Sequence, residues 1–285
     1  MAELLKGKPV ADSICEELAP RIEALASRGI TPTLAVIRVG NREDDLAYER
    51  GIAKRFGSLG LRVKIIELPD ICSQSDLIDA IEVVNSDGAV HGCMIFRPLP
   101  SHLNEEAACD ALAPEKDVDG ITPDSLYGVF ADREIGYPPC TAEACVRMLE
   151  HYGKPLEGAN VTVIGRSLVI GRPVAMMLMA KNATVTICHT RTHDLVKACE
   201  NADVIIAAAG KAGTVTEMMV HERHSVVDVG INWDEEAGRL VGDAAFEEIE
   251  PVVDAITPVP GGIGAATTAV LASHVVEAAE RALRH

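Results

Sequence analysis

The segment VTVIGRSLVIGRP, residues 161–173, decides the fold. Its β-branched start predicts a buried strand that ends at Gly165, and Pro173 suits the first turn of a following helix. Amide N–H groups at such a helix start attract phosphate, and glycines let phosphate approach the backbone. The spacing departs from G-x-G-x-x-G, because Ser167 replaces the second glycine and Gly171 comes one residue late. Taken alone, the segment indicates a nucleotide-binding turn and leaves open a plain strand–turn–helix corner.

The next predicted strand, ATVTIC at 183–188, bears on which dinucleotide would bind. In NAD-binding sites an acidic residue near the end of this strand hydrogen-bonds the ribose hydroxyls. Here the chain continues as HTR, ending at Arg191, and the first acid is Asp194. Arg191 and Arg166 are instead candidates to face a 2′-phosphate. This pattern favours NADP over NAD, although each arginine has the simpler interpretation of a solvated surface charge.

Strands and helices alternate on both sides of this segment, which predicts an α/β protein. The β-α-β-α-β order of the N-terminal half implies a parallel sheet with right-handed crossovers, and a second such series follows it. Proline and glycine are concentrated between the two series, in KDVDGITP (116–123) and GYPPC (136–140), which marks a domain boundary. Further strands are predicted at 34–39, 63–68, 90–96, 204–210 and 225–231.

Charge and composition restrict the possible partners. The 285 residues carry 43 acidic and 26 basic side chains, a formal net charge of −17. Nucleic-acid binding relies on Lys and Arg that neutralise phosphates, so this balance argues against a nucleic-acid partner. The N-terminus lacks the apolar stretch of a signal peptide, and no segment has the roughly 20 apolar residues of a membrane span. We therefore expect a cytoplasmic protein with no membrane contact.

The eight cysteines predict free thiols and no disulfide framework. None forms a C-x-x-C pair, and a chain of this length needs no covalent cross-links to stabilise its core. No Cys/His cluster has the spacing of zinc ligands, so we expect no metal site.

Five motifs stand out along the chain: KDVDGITP at 116–123, PPCTAEA at 138–144, GRSLVIGRP at 165–173, DVGIN at 228–232 and ITPVPGGIG at 256–264. In their order and spacing they resemble the methylenetetrahydrofolate dehydrogenase/cyclohydrolase family. The resemblance covers essentially the whole chain, and the combination is specific where each motif alone is not.

The family resemblance implies a two-domain α/β fold. A folate-binding catalytic domain with a parallel sheet is expected at 1–137, and a Rossmann-type NAD(P)-binding domain at 138–265. The C-terminal helix, 266–285, is expected to pack back on the first domain. Members are generally homodimers that bind tetrahydrofolate derivatives in the cleft between the domains, so a homodimer is expected here too.

The resemblance also assigns roles to residues. Tyr48 matches the tyrosine that stacks on the aminobenzoate ring of folate, and Asp119 the aspartate that hydrogen-bonds the pterin. A tyrosine offers a flat face and an ionised aspartate accepts two N–H bonds, so the chemistry agrees. Within DVDG alone, Asp119 would be a turn-forming residue. Matches to folate contacts in the last loop are Gly262, Gly264 and Thr267. Matches to cofactor contacts are Thr141, Gly165, Arg166, Ser167, Thr190 and Ile231, to which the strand-end Arg191 is added.

Two departures from the family fall on the residues of the hydrolytic reaction. Bifunctional members carry a lysine four residues after the tyrosine, and Ile52 occupies that position here. Phe96 replaces the glutamine that works with the lysine. The serine before the tyrosine is replaced by Asp45, and Ala265-Ala266 stands in place of Pro-Met in the last loop. The candidate catalytic set is therefore Tyr48, Ile52, Phe96 and Asp119.

Neighbouring cations do not restore the lost lysine. Lys54 lies two residues beyond Ile52, a rotation of about 200° round a helix, and is expected to point away from the site. Arg97 follows Phe96, but arginine stays protonated and is a poor base.

The chemistry explains why the two losses go together. Hydride transfer mainly requires positioning of the one-carbon unit against the nicotinamide, whereas hydrolysis of the methenyl product requires a base that activates water. The sequence therefore predicts oxidation of methylenetetrahydrofolate with NADP+, NAD+ being the alternative cofactor, and weak or absent cyclohydrolase activity. A bifunctional enzyme, an inactive folate- or nucleotide-binding homologue and a Rossmann dehydrogenase for another small molecule are the competing hypotheses. Intact cofactor motifs argue against the inactive homologue, and Tyr48 and Asp119 against another substrate.

Overall fold

Two separate sheets, both built from parallel strands, organise the chain. The computed structural model describes residues 1–235 and 238–284. They fall into two units: the N-terminal unit, Ser13–Cys140 with Thr268–His285, and the central unit, Met1–Asp12 with Thr141–Thr267. The predicted two-domain α/β architecture is confirmed.

The strands within the described ranges are β1 Glu3–Leu4, β2 Thr33–Val39, β3 Arg62–Leu68, β4 Gly92–Ile95, β5 Asn160–Ile164, β6 Thr184–Cys188, β7 Val204–Ala207, β8 Ser225–Asp228, β9 Asn232–Asp234, β10 Arg239–Val241 and β11 Ala255–Ile256. The α-helices are α1 Gly7–Ser27, α2 Glu43–Ser58, α3 Gln74–Ser86, α4 Glu105–Ala111, α5 Pro123–Ala131, α6 Cys140–His151, α7 Gly171–Ala180, α8 Leu195–Cys199, α9 Phe246–Ile249 and α10 Ile263–Ala282.

The sheet of the N-terminal unit has the order β3-β2-β4, with all pairs parallel. Every residue of β2 is buried, as a central strand covered on both faces requires. Its alternate residues Ala35 and Ile37 pack with Leu77 and Ile81 of α3 in one apolar cluster. The carboxyl ends of β2 and β4 therefore lie side by side, where ligand-binding loops of parallel sheets are found.

The sheet of the central unit has the order β1-β11-β8-β7-β5-β6, again parallel throughout. Helix α7 follows β5 and contacts both β5 and β6. Strand β1 pairs with β11, so Glu3 lies opposite Ala255. This pairing places the first twelve residues with the central unit, whereas the sequence interpretation had included them in a domain at 1–137. Two strand residues carry no periodic signal, and their partner is distant in sequence.

The start of α6, the cysteines and the helix lengths each bear on a sequence expectation. Helix α6 begins at Cys140, so Thr141, a predicted cofactor contact, lies inside its first turn. All eight cysteines are free thiols. Among the described residues, no helix has the length and apolar character to cross a membrane.

A buried histidine stack precedes β8. His224 is fully buried, its ring lies 3.6 Å from that of His221, and its Nδ1 accepts the His221 backbone N–H at 3.0 Å. Burial, together with the neighbouring His221, lowers the pKa of His224 to about 4. The folded protein therefore keeps this imidazole neutral at a pH where the unfolded chain protonates it.

We expect acid to destabilise the fold through His224. Its folded pKa is below the unfolded value, so its contribution to stability is present above about pH 6.5 and is lost as the pH falls toward 4. Between pH 7 and pH 5, the free energy of unfolding should fall by on the order of 2 kcal/mol more in the wild type than in His224→Asn. Asparagine keeps an acceptor for the His221 amide but does not titrate. Urea unfolding at both pH values measures this difference, and equal losses in the two proteins would contradict it.

Candidate functional site

The turn between β5 and α7 is built around two glycines that admit no side chain. Gly165 has a φ of +142°, and a Cβ there would lie 2.1 Å from the Ala208 carbonyl oxygen. A Cβ on Gly171 would lie 2.3 Å from the Gly165 carbonyl oxygen. The helix start therefore packs directly on the strand end, which is the function of the glycines in a dinucleotide-binding turn.

Ser167 explains the unusual spacing of this turn. Its Oγ accepts the Ile170 N–H at 3.1 Å, and its carbonyl oxygen accepts the Arg172 N–H at 3.1 Å. The serine thus organises a turn one residue longer than the usual one. Its side chain and that of Arg166 are exposed at the start of α7.

The end of β6 presents Thr190 and Arg191, both exposed, with no carboxylate beside them. Asp194 does not substitute for the missing acid, because its Oδ1 accepts the Lys197 N–H at 2.9 Å and caps α8. Neither Arg166 nor Arg191 forms an ion pair with any carboxylate in the described part of the chain. Both guanidinium groups are therefore available to an anionic ligand.

Two buried carboxylates shape the neighbouring loops, and sequence analysis missed both. Asp228, in DVGIN, accepts the backbone N–H groups of Gly230, Asp243 and Ala244 at 2.9–3.0 Å. Burial raises the pKa of Asp228 to about 6. A Cβ on Gly230 would lie 2.1 Å from Oδ1 of Asp243. The two-residue spacing of Asp228 and Gly230 within DVGIN was the sequence signal for a turn held by a carboxylate.

Asp243 fixes the loop after β7. One carboxylate oxygen accepts the N–H groups of Ala209 and Gly210 at 2.6 and 2.8 Å, and the other accepts Nδ2 of Asn232 at 2.9 Å. Ala208, which faces Gly165, begins this loop. Asp243 therefore holds the loop against which Gly165 of the β5–α7 turn packs.

A cavity of about 230 Å³ lies in the central unit beside the DVGIN and PVPGGIG segments. Its lining includes Ile231, Gly262 and Gly264. Thr267 does not line it, since its buried Oγ1 donates to the Ile263 carbonyl oxygen at 3.1 Å within α10. Thr141 lies in α6 and does not line it either.

In the N-terminal unit, the structure brings Tyr48 and Phe96 together. Their ring centroids lie 5.8 Å apart with the planes tilted by 50°. Ile52, one turn after Tyr48 on α2, is fully buried, and Phe96 at the end of β4 is also buried. Lys54 is exposed, as its rotation round the helix predicted.

The two acids of DVDG differ in their surroundings. Asp117 is fully buried, and its two carboxylate oxygens accept the N–H groups of Ile121 and Thr122 at 2.9 and 2.7 Å. It is the turn-forming residue. Asp119 makes no such contact with a backbone N–H in the described part of the chain, and the Cys140 side chain is its neighbour. Burial raises the pKa of Asp119 to about 6, an effect that the charge of Arg97 opposes.

The polar neighbours of this cluster are paired. Asp45 is buried and receives two bonds of 2.8 Å from the guanidinium of Arg42. Arg97 lies 3.5 Å from a carboxylate oxygen of Glu105. Burial, followed by the charge of Asp119, raises the pKa of Tyr48 above its usual value. The cluster therefore presents an aromatic face and a carboxylate, with apolar groups at positions 52 and 96.

Comparison with known proteins identifies the family. The model of the tetrahydrofolate dehydrogenase/cyclohydrolase NAD(P)-binding domain matches residues 139–283, and that of the catalytic domain matches residues 5–119. The chain belongs to the tetrahydrofolate dehydrogenase/cyclohydrolase family. The predicted family and its NAD(P)-binding domain are thereby confirmed.

Relatives in this family match the chain over nearly its whole length. A protein named bifunctional protein FolD from Clostridioides difficile (strain 630) is 48% identical over 276 residues, which cover 97% of this chain and 96% of that protein. The crystal structure of FolD, methylenetetrahydrofolate dehydrogenase/cyclohydrolase, from Campylobacter jejuni is 38% identical, with a TM-score of 0.95 and 99% of each chain covered. The Trypanosoma brucei enzyme, solved with NADP cofactor and inhibitor, is 33% identical, with a TM-score of 0.93 over 100% of this chain and 99% of that one.

The β5–α7 turn fits a nicotinamide dinucleotide. Side chains are sterically excluded at Gly165 and Gly171, so a pyrophosphate can approach the backbone amides at the start of α7. Ser167, Arg166 and Arg191 supply polar and cationic groups around this opening.

We expect Gly171→Ala to weaken dinucleotide binding. The added methyl group would clash with the Gly165 carbonyl oxygen and force α7 away from the strand end. The expected result is at least about a 10-fold rise in the Kd for NADP+ and a loss of about 1–3 kcal/mol in stability. Calorimetric titration measures the first effect and urea unfolding the second.

Gly57→Ala is the matched control, because a Cβ at this helical position meets no atom within 4 Å. It should leave NADP+ affinity unchanged and stabilise α2 slightly. An unaltered NADP+ affinity in Gly171→Ala would show that the helix start does not contact the cofactor.

Proposed function

We propose that this family member oxidises methylenetetrahydrofolate to methenyltetrahydrofolate with NADP+, and that its cyclohydrolase activity is weak or absent. The observation that carries the proposal is the buried apolar pair Ile52 and Phe96 beside Tyr48. These side chains occupy the positions of the family lysine and glutamine, while the proposed folate contacts Tyr48 and Asp119 are kept.

The N-terminal unit supplies the proposed substrate contacts. The Tyr48 ring stacks on the aminobenzoate ring, and Phe96 limits its rotation from the side. Asp119 accepts N–H bonds from the pterin. With a pKa of about 6, its carboxyl is mostly ionised at pH 7 and can accept both bonds. In the central unit, Gly262 and Gly264 are the proposed substrate-loop positions that line the cavity.

The central unit supplies the proposed cofactor contacts. Backbone amides at the start of α7 would hold the pyrophosphate, and Arg166 and Arg191 would hold the 2′-phosphate. Bound there, the cofactor would supply the hydride acceptor for oxidation of the methylene carbon. The residues of the chain have only to align the two molecules and exclude water from them, which requires no acid or base.

Hydrolysis of the methenyl product makes different demands. A base must activate water, and protons must move around a tetrahedral intermediate. Ile52 and Phe96 provide neither function, Arg97 is paired with Glu105, and Lys54 is exposed on another face of α2. The methenyl product is therefore released intact.

A second candidate is the bifunctional activity. It is favoured by the names of the relatives at 48% identity, each called a bifunctional protein. The two candidates share the dehydrogenase reaction and differ only in the fate of the methenyl group. A direct assay of hydrolysis therefore distinguishes them.

We further propose a cytoplasmic homodimer with no nucleic-acid partner. The net charge of −17 supports the last point, because a phosphate backbone would be repelled. Light scattering on the purified protein measures the oligomeric state.

We expect the wild type to form methenyltetrahydrofolate at least about 100-fold faster than it hydrolyses it, the rate advantage that general acid–base catalysis normally supplies. The combined substitution Ile52→Lys with Phe96→Gln should raise the hydrolysis rate at least about 10-fold. Absorbance of the methenyl product, followed as it forms and as it decays, measures both rates.

The combined substitution Ile52→Met with Phe96→Leu is the control, since it alters the same positions but adds no proton-transfer group. Its hydrolysis rate should equal that of the wild type. Hydrolysis by the wild type at a rate comparable to dehydrogenation would favour the bifunctional candidate and contradict the proposal.

We expect Arg191→Ser to raise the KM for NADP+ at least about 10-fold, since a charge-assisted contact to the 2′-phosphate is lost. The KM for NAD+ should stay within about 2-fold, because NAD+ lacks this phosphate. Arg223→Ser removes the same charge from an exposed position of the central unit outside α7 and β6, and should alter neither value. Steady-state kinetics with both cofactors measure the effect, and an equal loss for the two would refute a 2′-phosphate role.

A further inference from the structure

Helix α10 holds the DVDG turn from behind through a buried histidine. His274 is 3% exposed, and its Nδ1 lies 2.8 Å from the carbonyl oxygen of Val118, the residue before Asp119. A carbonyl oxygen can only accept, so Nδ1 carries the proton and donates it. This bond fixes the peptide unit from which Asp119 projects.

Cys140 links the same turn to the YPPC segment. Its thiol donates to the Val118 carbonyl oxygen at 3.2 Å, its Sγ lies 3.6 Å from Nδ1 of His274, and its side chain is a neighbour of the Asp119 carboxyl. The thiol is 1% exposed, so this contact is shielded from water. Asp119 is therefore joined to His274 both through its own backbone and through Cys140.

Aromatic and cationic groups hold the His274 ring in turn. The ring centroid of Tyr137 lies 5.3 Å from that of His274, with the planes tilted by 36°. The guanidinium carbon of Arg281 lies 4.5 Å from the Tyr137 centroid, and its Nη1 donates to the Gly136 carbonyl oxygen at 3.0 Å. His274 and Arg281, seven residues apart, project from one face of α10 and together clamp the segment before α6.

Little space exists for the turn to move away from this clamp. Gly120 has a φ of +66°, and a Cβ there would lie 2.4 Å from the Pro139 nitrogen and 2.7 Å from the Tyr137 carbonyl oxygen. The turn and the 137–140 segment are thus packed backbone against backbone. A change at His274 is transmitted to Asp119 because the intervening atoms are close-packed.

We propose that His274 is a positioning residue for Asp119, holding the second carboxylate of the DVDG turn in the orientation that receives the pterin. This inference rests on the proposed folate function. A carboxylate that must accept two N–H bonds from one flat ring edge tolerates little displacement, since misplacement of a binding group by about 1 Å can cost 100-fold in rate. None of the sequence motifs contains His274, and it touches no proposed ligand position itself.

The test compares two substitutions at one position. In His274→Asn the amide nitrogen reaches the place of Nδ1 and still donates to Val118, whereas His274→Leu keeps the volume and has no donor. We expect His274→Leu to raise the KM for methylenetetrahydrofolate at least 10-fold and to leave the KM for NADP+ within 2-fold. His274→Asn should recover the wild-type KM within 3-fold. A purely structural role would lower the urea midpoint of both variants without this rescue.

A readout without substrate tests the same contact. Carbon-13 NMR of carboxyl-labelled aspartate reports the titration of Asp119, assigned by its loss in Asp119→Asn. The groups that face this carboxyl are Arg97, Asp117, Cys140, His274 and Tyr48. We expect the Asp119 titration to move to higher pH in both variants, because both lose the His274 charge, and to move further in His274→Leu, which also loses the bond to Val118.

The outcomes separate the inference from the proposed function. Unchanged folate KM and unchanged Asp119 titration in His274→Leu would overturn the inference. If the wild type does not oxidise the folate but the titration shifts as expected, the hold of His274 on Asp119 is supported and the proposed substrate is overturned. If His274→Leu does not fold, His274→Gln takes its place, because its longer side chain carries the amide beyond the position of Nδ1 and the bond to Val118 is lost. It should produce the same shift in titration, and no shift would overturn the inference.

Discussion

Buried carboxylates that accept the backbone amides of loops are the interaction on which both candidate sites depend. Asp117 holds the turn that carries Asp119, and Asp228 and Asp243 hold the loops beside Gly165. The backbone N–H groups of a loop that is open to a ligand have no partners in a helix or sheet, so other hydrogen-bond acceptors are required. Each charge-assisted bond is worth about 1.5–3 kcal/mol, enough to order a short loop. The exposed site residues are thus positioned by acids whose own oxygens are bonded to backbone amides.

The pair Asp117 and Asp119 shows both the reach and the limit of sequence analysis. The motif resemblance selected the second acid, and an isolated DVDG would have made it a turn former. In the structure the turn is formed by the first acid, which leaves the second for another partner. Spacing alone does not show which of two acids faces the backbone amides, because this depends on how the segment before them passes β4. That information lies in the parallel bridge between Cys93 and Asp117, a contact between distant segments.

Elements whose signal is local were predicted well, and those defined by distant partners were not. The continuous apolar run at 34–39 indicated a buried central strand because burial on both faces removes alternation. Strand β1 was missed because two residues pair with β11 across the chain. His274 was missed for the same reason. Among Ala and Val on α10 it resembles an ordinary core histidine, and only the Val118 carbonyl opposite it gives it a specific role.

The aromatic contact between Tyr48 and Phe96 gives the apolar substitutions a positive consequence. A tilted ring pair contributes about 0.5–1.5 kcal/mol beyond burial, and it restricts the Tyr48 ring about its side-chain torsions. Tyr48 and Ile52 lie four residues apart on α2, so a buried isoleucine supports the tyrosine from the next turn of the helix. A lysine at 52 would have to keep its ammonium hydrated and could not fill this space in the same way. The two apolar side chains on which the proposed loss of hydrolysis rests therefore also stiffen the aromatic face proposed to hold the substrate for hydride transfer.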